Sequence, residues 1–362
     1  MKQYLFSILT TLLMAIGCTV DEPAPNKPDP KPNPDPEQPK PEVVITLSDR
    51  EITLQKGEEF QLSATLSEEV GDISWESDNK KVAIVDRTGK VMALSTGDAT
   101  ITARCAEAEA HCAVSVIEKP GVGWFYYDDG SYSAKLDYEK RAIGVIFWIG
   151  DPTAHDDLLK KEHPNCTNGL VVALNDDDVN HHWQPNYEQY GASVGEWIEA
   201  NCPEYRTITS PWNENEVVNA MCGYNNTKAI EAFNAAKENA EWPVEAVEVV
   251  VSFREQYPAP ESSSDWYLPS VKECSLLLSG EVDGNVLEIS NNITNLTTIN
   301  RKLELIPGGL TVGHTGFDDD IWASNERDYE YAFYLSTLTG KVWMNWKYYE
   351  SDHHFVRAIL AF

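Results

Sequence analysis

The sequence predicts an all-β sandwich followed by a larger α+β domain, with a signal sequence and a proline-rich linker before them. Three observations lead to this fold class. The chain has 362 residues, which is enough for two domains. Its hydrophobic content of 42%, with 11 Trp, 16 Tyr and 10 Phe, excludes a mostly disordered chain. Apolar and polar residues alternate across residues 43–118, whereas residues 119–362 mix helical and strand patterns.

The charge of the chain limits the partners that it can bind. It has 28 Lys and Arg against 58 Asp and Glu, a formal net charge of −30. Nucleic-acid binding needs clustered cations, so we expect no nucleic-acid partner. Electrostatic docking on anionic lipid is disfavoured for the same reason. Any contact with a membrane is therefore expected through a lipid anchor alone.

Residues 1–17 have the pattern of a signal peptide. Lys2 provides a positive start, and Tyr4 to Ile16 form an apolar stretch of 13 residues, too short for a mature membrane span. The stretch ends in Ala15-Ile16-Gly17-Cys18, which resembles the lipobox of bacterial lipoproteins. That resemblance implies cleavage before Cys18 and lipidation of its thiol. An ordinary secretory signal with an incidental cysteine is the alternative.

The segment after Cys18 is expected to carry the protein away from the membrane. Thr19-Val20-Asp21-Glu22 resembles the export signal of surface-exposed lipoproteins in some Gram-negative bacteria, which implies a surface-displayed, outer-membrane lipoprotein. Residues 21–41 contain nine of the 20 prolines. Proline fixes φ and lacks an N–H, so residues 21–41 are predicted to extend over roughly 60 Å within a linker at residues 18–42.

Residues 43–118 are predicted to form the sandwich, with turns at Lys56-Gly57, Thr88-Gly89 and Thr96-Gly97. The alternating apolar positions are Val43, Ile45 and Leu47; Phe60, Leu62 and Ala64; Ile73 and Trp75; Ala99, Ile101 and Ala103; Val114 and Val116. The segments ITLQKGEEFQLSAT (52–65), ISWESDNKKVAIVDRTGKVMAL (73–94) and GDATITA (97–103) resemble the bacterial immunoglobulin-like domain of group 2. The resemblance implies a spacer without catalytic residues.

The cysteine pattern gives no metal or redox motif. Cys105 and Cys112 flank a hairpin whose tip we predict near Ala108-Glu109, which would place them opposite each other. A disulfide between them and two unpaired core cysteines are both compatible with this pattern. Cys166, Cys202, Cys222 and Cys274 allow three pairings, and no CxxC pair is present.

Residues 119–362 are predicted to form the α+β domain. Buried strands are expected at 144–149, 169–174 and 355–362, the last at the centre of a sheet. Helices are expected at 227–239, 243–257 and 294–305, and Ser270-Val271-Lys272-Glu273 is a capping box that begins another. Residues 331–338 and 341–348 should pair as a hairpin over Thr339-Gly340.

Six segments of this domain match, in order, a family of exported bacterial domains of unassigned function. They are GWFYYDDGSYSAKL (123–136), AIGVIFWIGDP (142–152), HPNCTNGLVVALND (163–176), WYLPSVKE (266–273), IWASNE (321–326) and VRAILAF (356–362). The family typically ends in a Val-Arg-Pro-Val-Leu-Ala-Phe strand, where this chain has Ala358 for proline. It resembles a branch of the C-type lectin-like fold, so the resemblance implies that fold but no activity.

Most catalytic and metal-binding motifs are absent or weak. Gln184-Pro185-Asn186 resembles the sugar-selecting triplet of calcium-dependent lectins, but it lies far from its usual place in the chain. Asp176 to Asp178 and Asp318 to Asp320 offer oxygens suited to Ca²⁺, although solvated turns explain them more simply. His181-His182 and His353-His354 are adjacent pairs that would point to opposite faces of a strand. No HExxH, GxSxG or P-loop occurs, so we predict no metal, no cofactor and no catalytic residues.

One enrichment points to a binding surface. Residues 322–355 hold ten aromatic side chains, two to three times the share expected from length. Exposed Trp and Tyr beside Asn suit stacking on sugar rings or anchoring a protein. The candidate ligand-binding residues are Trp322, Asn325, Trp343, Asn345, Trp346 and Tyr348.

These patterns favour a non-enzymatic adhesin, which holds a recognition domain away from the cell to bind an extracellular glycan or a host or bacterial surface protein. An enzyme acting on an extracellular polymer is one alternative and would need paired carboxylates in a cleft. A structural subunit of a surface appendage is another, which an unpaired strand edge would favour.

Overall fold

A computed structural model describes residues 43–68, 71–176, 179–211, 215–313, 320–348 and 354–362. The predicted signal peptide, Cys18 and the linker lie outside these ranges. The described chain divides into two compact units, the first built mainly from residues 43–115 and the second mainly from 116–362.

The described residues of the first unit form nine short strands. They are β1 (Ile45–Leu47), β2 (Glu51–Gln55), β3 (Glu59–Gln61), β4 (Ala64–Leu66), β5 (Ser74–Ser77), β6 (Ala83–Val85), β7 (Lys90–Ala93), β8 (Gly97–Cys105) and β9 (Ala108–Ile117). They form sheets of order β2-β9-β8-β5, β3-β7-β6 and β1-β4. Ile101, Ala103, Val114 and Val116 are buried, so the predicted alternation does mark the core face of β8 and β9.

Gly89 allows the turn between β6 and β7 to pack closely against Leu62 and Trp75. Its φ is +84°, and an added Cβ would lie 2.3 Å from the carbonyl oxygen of Leu62 and 2.8 Å from the Trp75 ring. A side chain at this position would therefore meet both backbone strain and a steric clash.

The tip of the β8–β9 hairpin differs from the prediction. The turn lies at Ala106-Glu107, with Ala106 at a φ of 52°, so Cys105 faces Ala108 rather than Cys112. The side chains of Thr102 and His111 hydrogen-bond at 3.1 Å. These two residues lie opposite each other in the same strand register that pairs Cys105 with Ala108. Cys105 and Cys112 are thus offset by four residues, roughly 13 Å along the strand, too far for a disulfide. Both are free and buried, and the other cysteines of the described ranges are free as well.

The second unit contains eight strands and eight α-helices within the described ranges. The strands are β10 (Phe125–Tyr127), β11 (Tyr132–Ser133), β12 (Ala142–Ile149), β13 (Gly169–Ala173), β14 (Ile321–Glu326), β15 (Tyr331–Leu335), β16 (Val342–Trp346) and β17 (Ile359–Ala361). The helices are α1 (Asp157–Glu162), α2 (Tyr187–Tyr190), α3 (Val194–Asn201), α4 (Asn215–Val218), α5 (Gly223–Ala235), α6 (Glu245–Gln256), α7 (Val271–Ser279) and α8 (Thr294–Leu303). Every helix in the described part of the chain is too short or too polar to cross a bilayer.

An antiparallel sheet of order β11-β10-β12-β13-β17 separates two apolar clusters. One face, with Val145 and Phe147, packs against α7 and α8. The other face, with Ile146 and Val171, packs against α3, α5 and α6. The predicted strands at 144–149 and 169–174 are confirmed as β12 and β13.

The C-terminal strand is shorter and placed differently than predicted. β17 spans Ile359–Ala361 and ends the sheet order instead of occupying its centre. Its outer side is nevertheless covered, because Tyr267 pairs with Ile359 by two backbone hydrogen bonds of 2.8 and 3.0 Å. Just before β17, the buried guanidinium of Arg357 donates to the carbonyl oxygens of Ala173, Leu174 and Leu310 and pairs with Asp176 at 2.7 Å. These bonds fix the strand in place.

The predicted helices are found with shifted ends. The helix predicted at 227–239 is α5, which begins four residues earlier; α6 and α8 end before their predicted limits. The capping box of α7 is confirmed, since the Ser270 hydroxyl accepts from the N–H of Glu273 while the Glu273 carboxylate accepts from the N–H of Ser270.

Glu273 lies in an unusual environment for a capping residue. It is buried and also accepts hydrogen bonds from the Gly223 N–H and the Tyr267 hydroxyl, each 3.0 Å long. Burial raises the pKa of its carboxyl to about 7, against the opposing effect of the hydrogen bonds from Ser270. This carboxyl therefore couples stability to pH.

We expect wild-type stability to fall, relative to Glu273→Gln, as pH rises from about 4.5 to 7. The raised pKa keeps the Glu273 carboxyl of the folded state protonated over this interval, while the unfolded state loses its proton. The free energy of unfolding therefore falls by about 3 kcal/mol. Urea unfolding at a series of pH values, followed by tryptophan fluorescence, measures the difference. Ten of the 11 tryptophans lie in residues 116–362. A wild-type advantage that grows with pH would instead mean a permanently ionised carboxylate.

We expect Gly89→Ala to destabilise the first unit by ~2 kcal/mol or more, because strain and steric overlap add. Gly57→Ala is the matched control: its φ is +88°, but nothing lies within 4 Å of the added Cβ. It should cost only the backbone term, about 1 kcal/mol. Hydrogen exchange of peptides from residues 43–115 measures both, and equal losses would contradict the role of the close approach.

Candidate functional site

The candidate binding residues lie on the three-stranded sheet β14-β15-β16, except Tyr348, which is the second residue after β16. β14 pairs with β15, and β15 pairs with β16 in a register that places Tyr334 opposite Trp343 and Tyr331 opposite Trp346. The predicted hairpin is present, but its strands are shorter, and Leu335 pairs with Val342, so the turn is centred on Leu338 and Thr339 rather than on Thr339-Gly340. Its strands are antiparallel, so side chains alternate between the two faces of the sheet.

A buried ion pair holds this sheet to the rest of the unit. Glu326, the last residue of β14, and Lys347, directly after β16, both have fully buried side chains, and the ammonium lies 2.5 Å from the carboxylate. The ammonium also lies 4.9 Å from the centre of the Trp183 ring. A buried pair of this kind needs further hydrogen bonds to offset the cost of removing both charges from water.

The further bonds come from the start of helix α3. The Glu326 carboxylate accepts from the Ser193 hydroxyl, from the N–H groups of Val194 (3.2 Å) and Gly195 (2.6 Å), and from the Thr209 hydroxyl (2.9 Å). A carboxylate at a helix N-terminus also interacts favourably with the helix dipole. Gly195 is required because an added Cβ would lie 2.0 Å from the Thr209 hydroxyl oxygen. The site is therefore structural, although no sequence motif indicated it.

Two of the predicted ligand-binding residues are not available to a ligand. Trp322 and Asn325 are both fully buried. The Trp322 indole donates to the His181 carbonyl oxygen at 2.7 Å, and the Asn325 side-chain oxygen accepts from the N–H of Val271 at 3.0 Å. The reason is position: β14 is flanked by β15 on one side and by bridges to Phe355 and Thr209 on the other.

Asn345 is partly buried and connects β16 to an inner aromatic group. Its amide nitrogen lies 3.4 Å from the Nε2 atom of His354. The His354 ring stacks on Tyr334 at 4.1 Å and meets Trp322 edge-on at 4.4 Å. The Asn345 side chain therefore contacts this inner aromatic group, and only part of it is exposed to solvent.

The remaining three predicted residues are exposed. Trp343 is 46% exposed, Trp346 39% and Tyr348 39%. Trp346 stacks on Tyr331 at 5.8 Å, while Tyr348 packs on the His182 ring at 4.3 Å. Trp343 lies on the opposite face of β16 from Trp346, with the Lys341 ammonium 5.6 Å from its ring centre. The exposed aromatic side chains thus border both faces of one strand.

The side chains of the lectin-like triplet and of the first histidine pair make structural contacts within the unit. The Gln184 amide nitrogen donates to the Trp242 carbonyl oxygen at 2.8 Å and that of Asn186 to the Glu241 carbonyl oxygen at 2.9 Å. His181 pairs with Glu245 at 2.9 Å, while its neighbour His182 contacts Tyr348. Within the ranges that the structure describes, no three His, Cys, Asp or Glu side chains gather to hold a metal ion. Asp177, Asp178, Asp318, Asp319 and His353 lie outside those ranges.

Comparison with known families identifies part of the first unit. Residues 44–109 match the model of the bacterial Ig-like domain, group 2. These residues form a group 2 bacterial Ig-like domain. The assignment agrees with the resemblance seen in the sequence and with the nine-stranded unit described above.

The wider comparison extends into the second unit. A curated relative from Bacteroides ovatus, named "Putative fimbrium tip subunit Fim1C", is 22% identical over 251 residues, which cover 59% of this chain and 45% of the relative. This chain is homologous to a Bacteroides fimbrial protein. It spans less than half the length of that curated relative.

A solved structure shares the fold over most of the chain. The crystal structure of a fimbrial protein from Bacteroides ovatus ATCC 8483 has a TM-score of 0.53 and 17% identity, and the match covers 88% of this chain and 70% of that one. At this identity the likeness concerns the fold alone.

We expect Glu326→Gln to destabilise the second unit by about 3–5 kcal/mol, because it leaves the Lys347 charge buried without its partner. The double variant Glu326→Gln/Lys347→Met should be less destabilised than the sum of the two single variants. Urea unfolding followed by tryptophan fluorescence measures all three.

Asp129→Asn is the matched control, since it breaks an exposed pair with Lys140 in the same unit. Its loss should stay below about 1 kcal/mol. Strictly additive effects of Glu326→Gln and Lys347→Met would show that the two side chains do not depend on each other.

Proposed function

We propose that this protein is a non-enzymatic subunit of a cell-surface appendage whose second unit faces outwards and binds a partner. The observation that carries the proposal is the similarity over 251 residues to a relative named as a fimbrium tip subunit. A subunit at such a position is free of further subunits on its outer side, so its outer surface is available for recognition.

The fold supports the same assignment. The fold is shared with a fimbrial protein over 88% of the chain. The first unit includes the Ig-like domain, which suits a spacer, and the second unit carries the exposed aromatic side chains at β16. Exposed tryptophans are typical anchors of recognition surfaces. The proposed ligand is an extracellular glycan or a surface protein.

The attachment to the cell belongs to the same proposal. Ala15-Ile16-Gly17-Cys18 supports lipidation of Cys18, and the acidic residues after it support outward display from the outer membrane. The family resemblance of segments from 123–136 to 356–362 supports a C-type lectin-like fold for the second unit.

The alternative of an enzyme has less support. Catalysis on a polymer needs carboxylates that reach solvent in a cleft. The carboxylates of Glu326, Glu273 and Asp156 are buried, and they cap the starts of α3, α7 and α1 by accepting hydrogen bonds from backbone N–H groups. Their environments suit helix capping.

We expect the protein to fractionate with appendages sheared from intact cells and to be labelled by antibody on their surface. Cys18→Ser should abolish surface display, because the lipid anchor is lost. Cys202→Ser, which changes a half-buried free thiol far from the signal, is the matched control and should leave display unchanged. A wild-type protein found only in the periplasm, or a Cys18→Ser variant displayed as well as the wild type, would contradict the proposal.

A further inference from the structure

We propose that the outer edge of β16 takes an extended segment of an acidic partner protein as an added strand. This inference rests on the proposed function only for the source of the partner. The proposed function allows either a glycan or a surface protein as the ligand of the exposed aromatic side chains. This inference names a protein segment as that ligand.

The hydrogen-bond pattern leaves backbone groups of β16 facing outwards. Ser336 donates to the Lys341 carbonyl oxygen and Lys347 donates to that of Glu330, each at 2.9 Å. Hydrogen-bonded pairs alternate along an antiparallel ladder, so Trp343 and Asn345 also bond to β15. The N–H and C=O groups of Val342 and Met344 therefore point away from it. No strand among the described residues pairs with β16 on that side.

The other sheet edges in the described part of the second unit are covered or short. Tyr267 pairs with β17, and Phe355 and Thr209 bridge to β14. The remaining edge, β11, is only two residues long. β16 is five residues long, and its sequence Val-Trp-Met-Asn-Trp has none of the charges or prolines that usually protect an edge from pairing.

The placement of the two tryptophans favours a polypeptide over a sugar. Trp343 and Trp346 lie on opposite faces of β16, so one flat sugar ring cannot stack on both. A strand added at the edge places its successive side chains on both faces, where they would contact one tryptophan each. The arrangement thus fits an extended peptide whose apolar side chains occur at neighbouring positions.

Charge indicates what this peptide carries. Residues 331–348 contain no Asp or Glu, although the whole chain has 58. Lys347 is paired with Glu326 inside the unit, so the remaining cation of residues 331–348 is Lys341, whose ammonium lies 5.6 Å from the centre of the Trp343 ring. An acidic extended segment added along β16 would meet Lys341 and no acidic side chain of residues 331–348.

The test selects a phage-displayed library of random dodecapeptides on the immobilised full chain. We expect selected peptides to combine neighbouring apolar residues with Asp or Glu, and to slow amide exchange of Val342 and Met344 when bound. Met344→Pro should weaken binding at least tenfold, because it removes an outward N–H and leaves the ladder with β15 intact. Trp343→Glu should weaken peptide binding by a similar factor, although it keeps every backbone N–H group of β16.

Leu338→Asp is the matched control, since Leu338 is 81% exposed in the turn of the same hairpin but not on the edge. It should bind within about twofold of wild type. Three results would overturn the inference: recovery of no binding peptide, peptides that bind Met344→Pro and Trp343→Glu as well as wild type, or a neutral glycan on an array whose binding needs both tryptophans. A periplasmic protein that binds such peptides would contradict the proposed appendage function but not this inference.

Discussion

The buried contact between Glu326 and Lys347 determines where the outer sheet of the second unit lies. One carboxylate receives the ammonium that follows β16, two N–H groups at the start of α3 and the hydroxyls of Ser193 and Thr209. It thereby joins the last strand of the hairpin to a helix and to the segment around Thr209. The cost of burying two charges is offset only when all of these partners are present, which favours a single arrangement. The exposed positions of Trp343 and Trp346 are a consequence, because Lys347 ties the strand that carries them to the interior.

Local patterns were sufficient to predict many of the longer elements, although α1 to α4, β10, β11 and β14 were not predicted. Alternation identified β8 and β9, continuous apolar runs identified β12 and β13, and Ser270 with Glu273 marked the start of α7 because their hydrogen bonds are local. Predictions that depended on distant partners were less accurate. The last strand lies at the end of its sheet rather than at the centre, since Tyr267, far away in sequence, covers its outer side. The hairpin register of Cys105 and Cys112 was wrong because the sequence does not specify a turn at Ala106, which is not a glycine.

The candidate surface was predicted only in part, for a similar reason. Composition identified the aromatic segment and the candidate residues Trp343 and Trp346 within it. The composition of the segment could not reveal which strand of the sheet would be outermost. Trp322 and Asn325 belong to β14, which is covered on both sides, while β16 is not paired on its outer side by any described residue. The role of Glu326 had no signal at all, since its partners Ser193, Thr209 and Lys347 come from widely separated parts of the chain.

The contacts of Arg357 and β17 determine how late in synthesis the second unit can complete its fold. The Arg357 guanidinium joins a carbonyl group 184 residues earlier in the chain, and β17 completes a sheet whose other strands are synthesised long before it. Closure of the second unit must therefore wait until this strand has emerged, since it is β17 that pairs with the outer side of β13. Such a late-closing topology folds slowly compared with one built from local contacts. It also leaves the apolar faces of this sheet incompletely covered during the interval before β17 is synthesised.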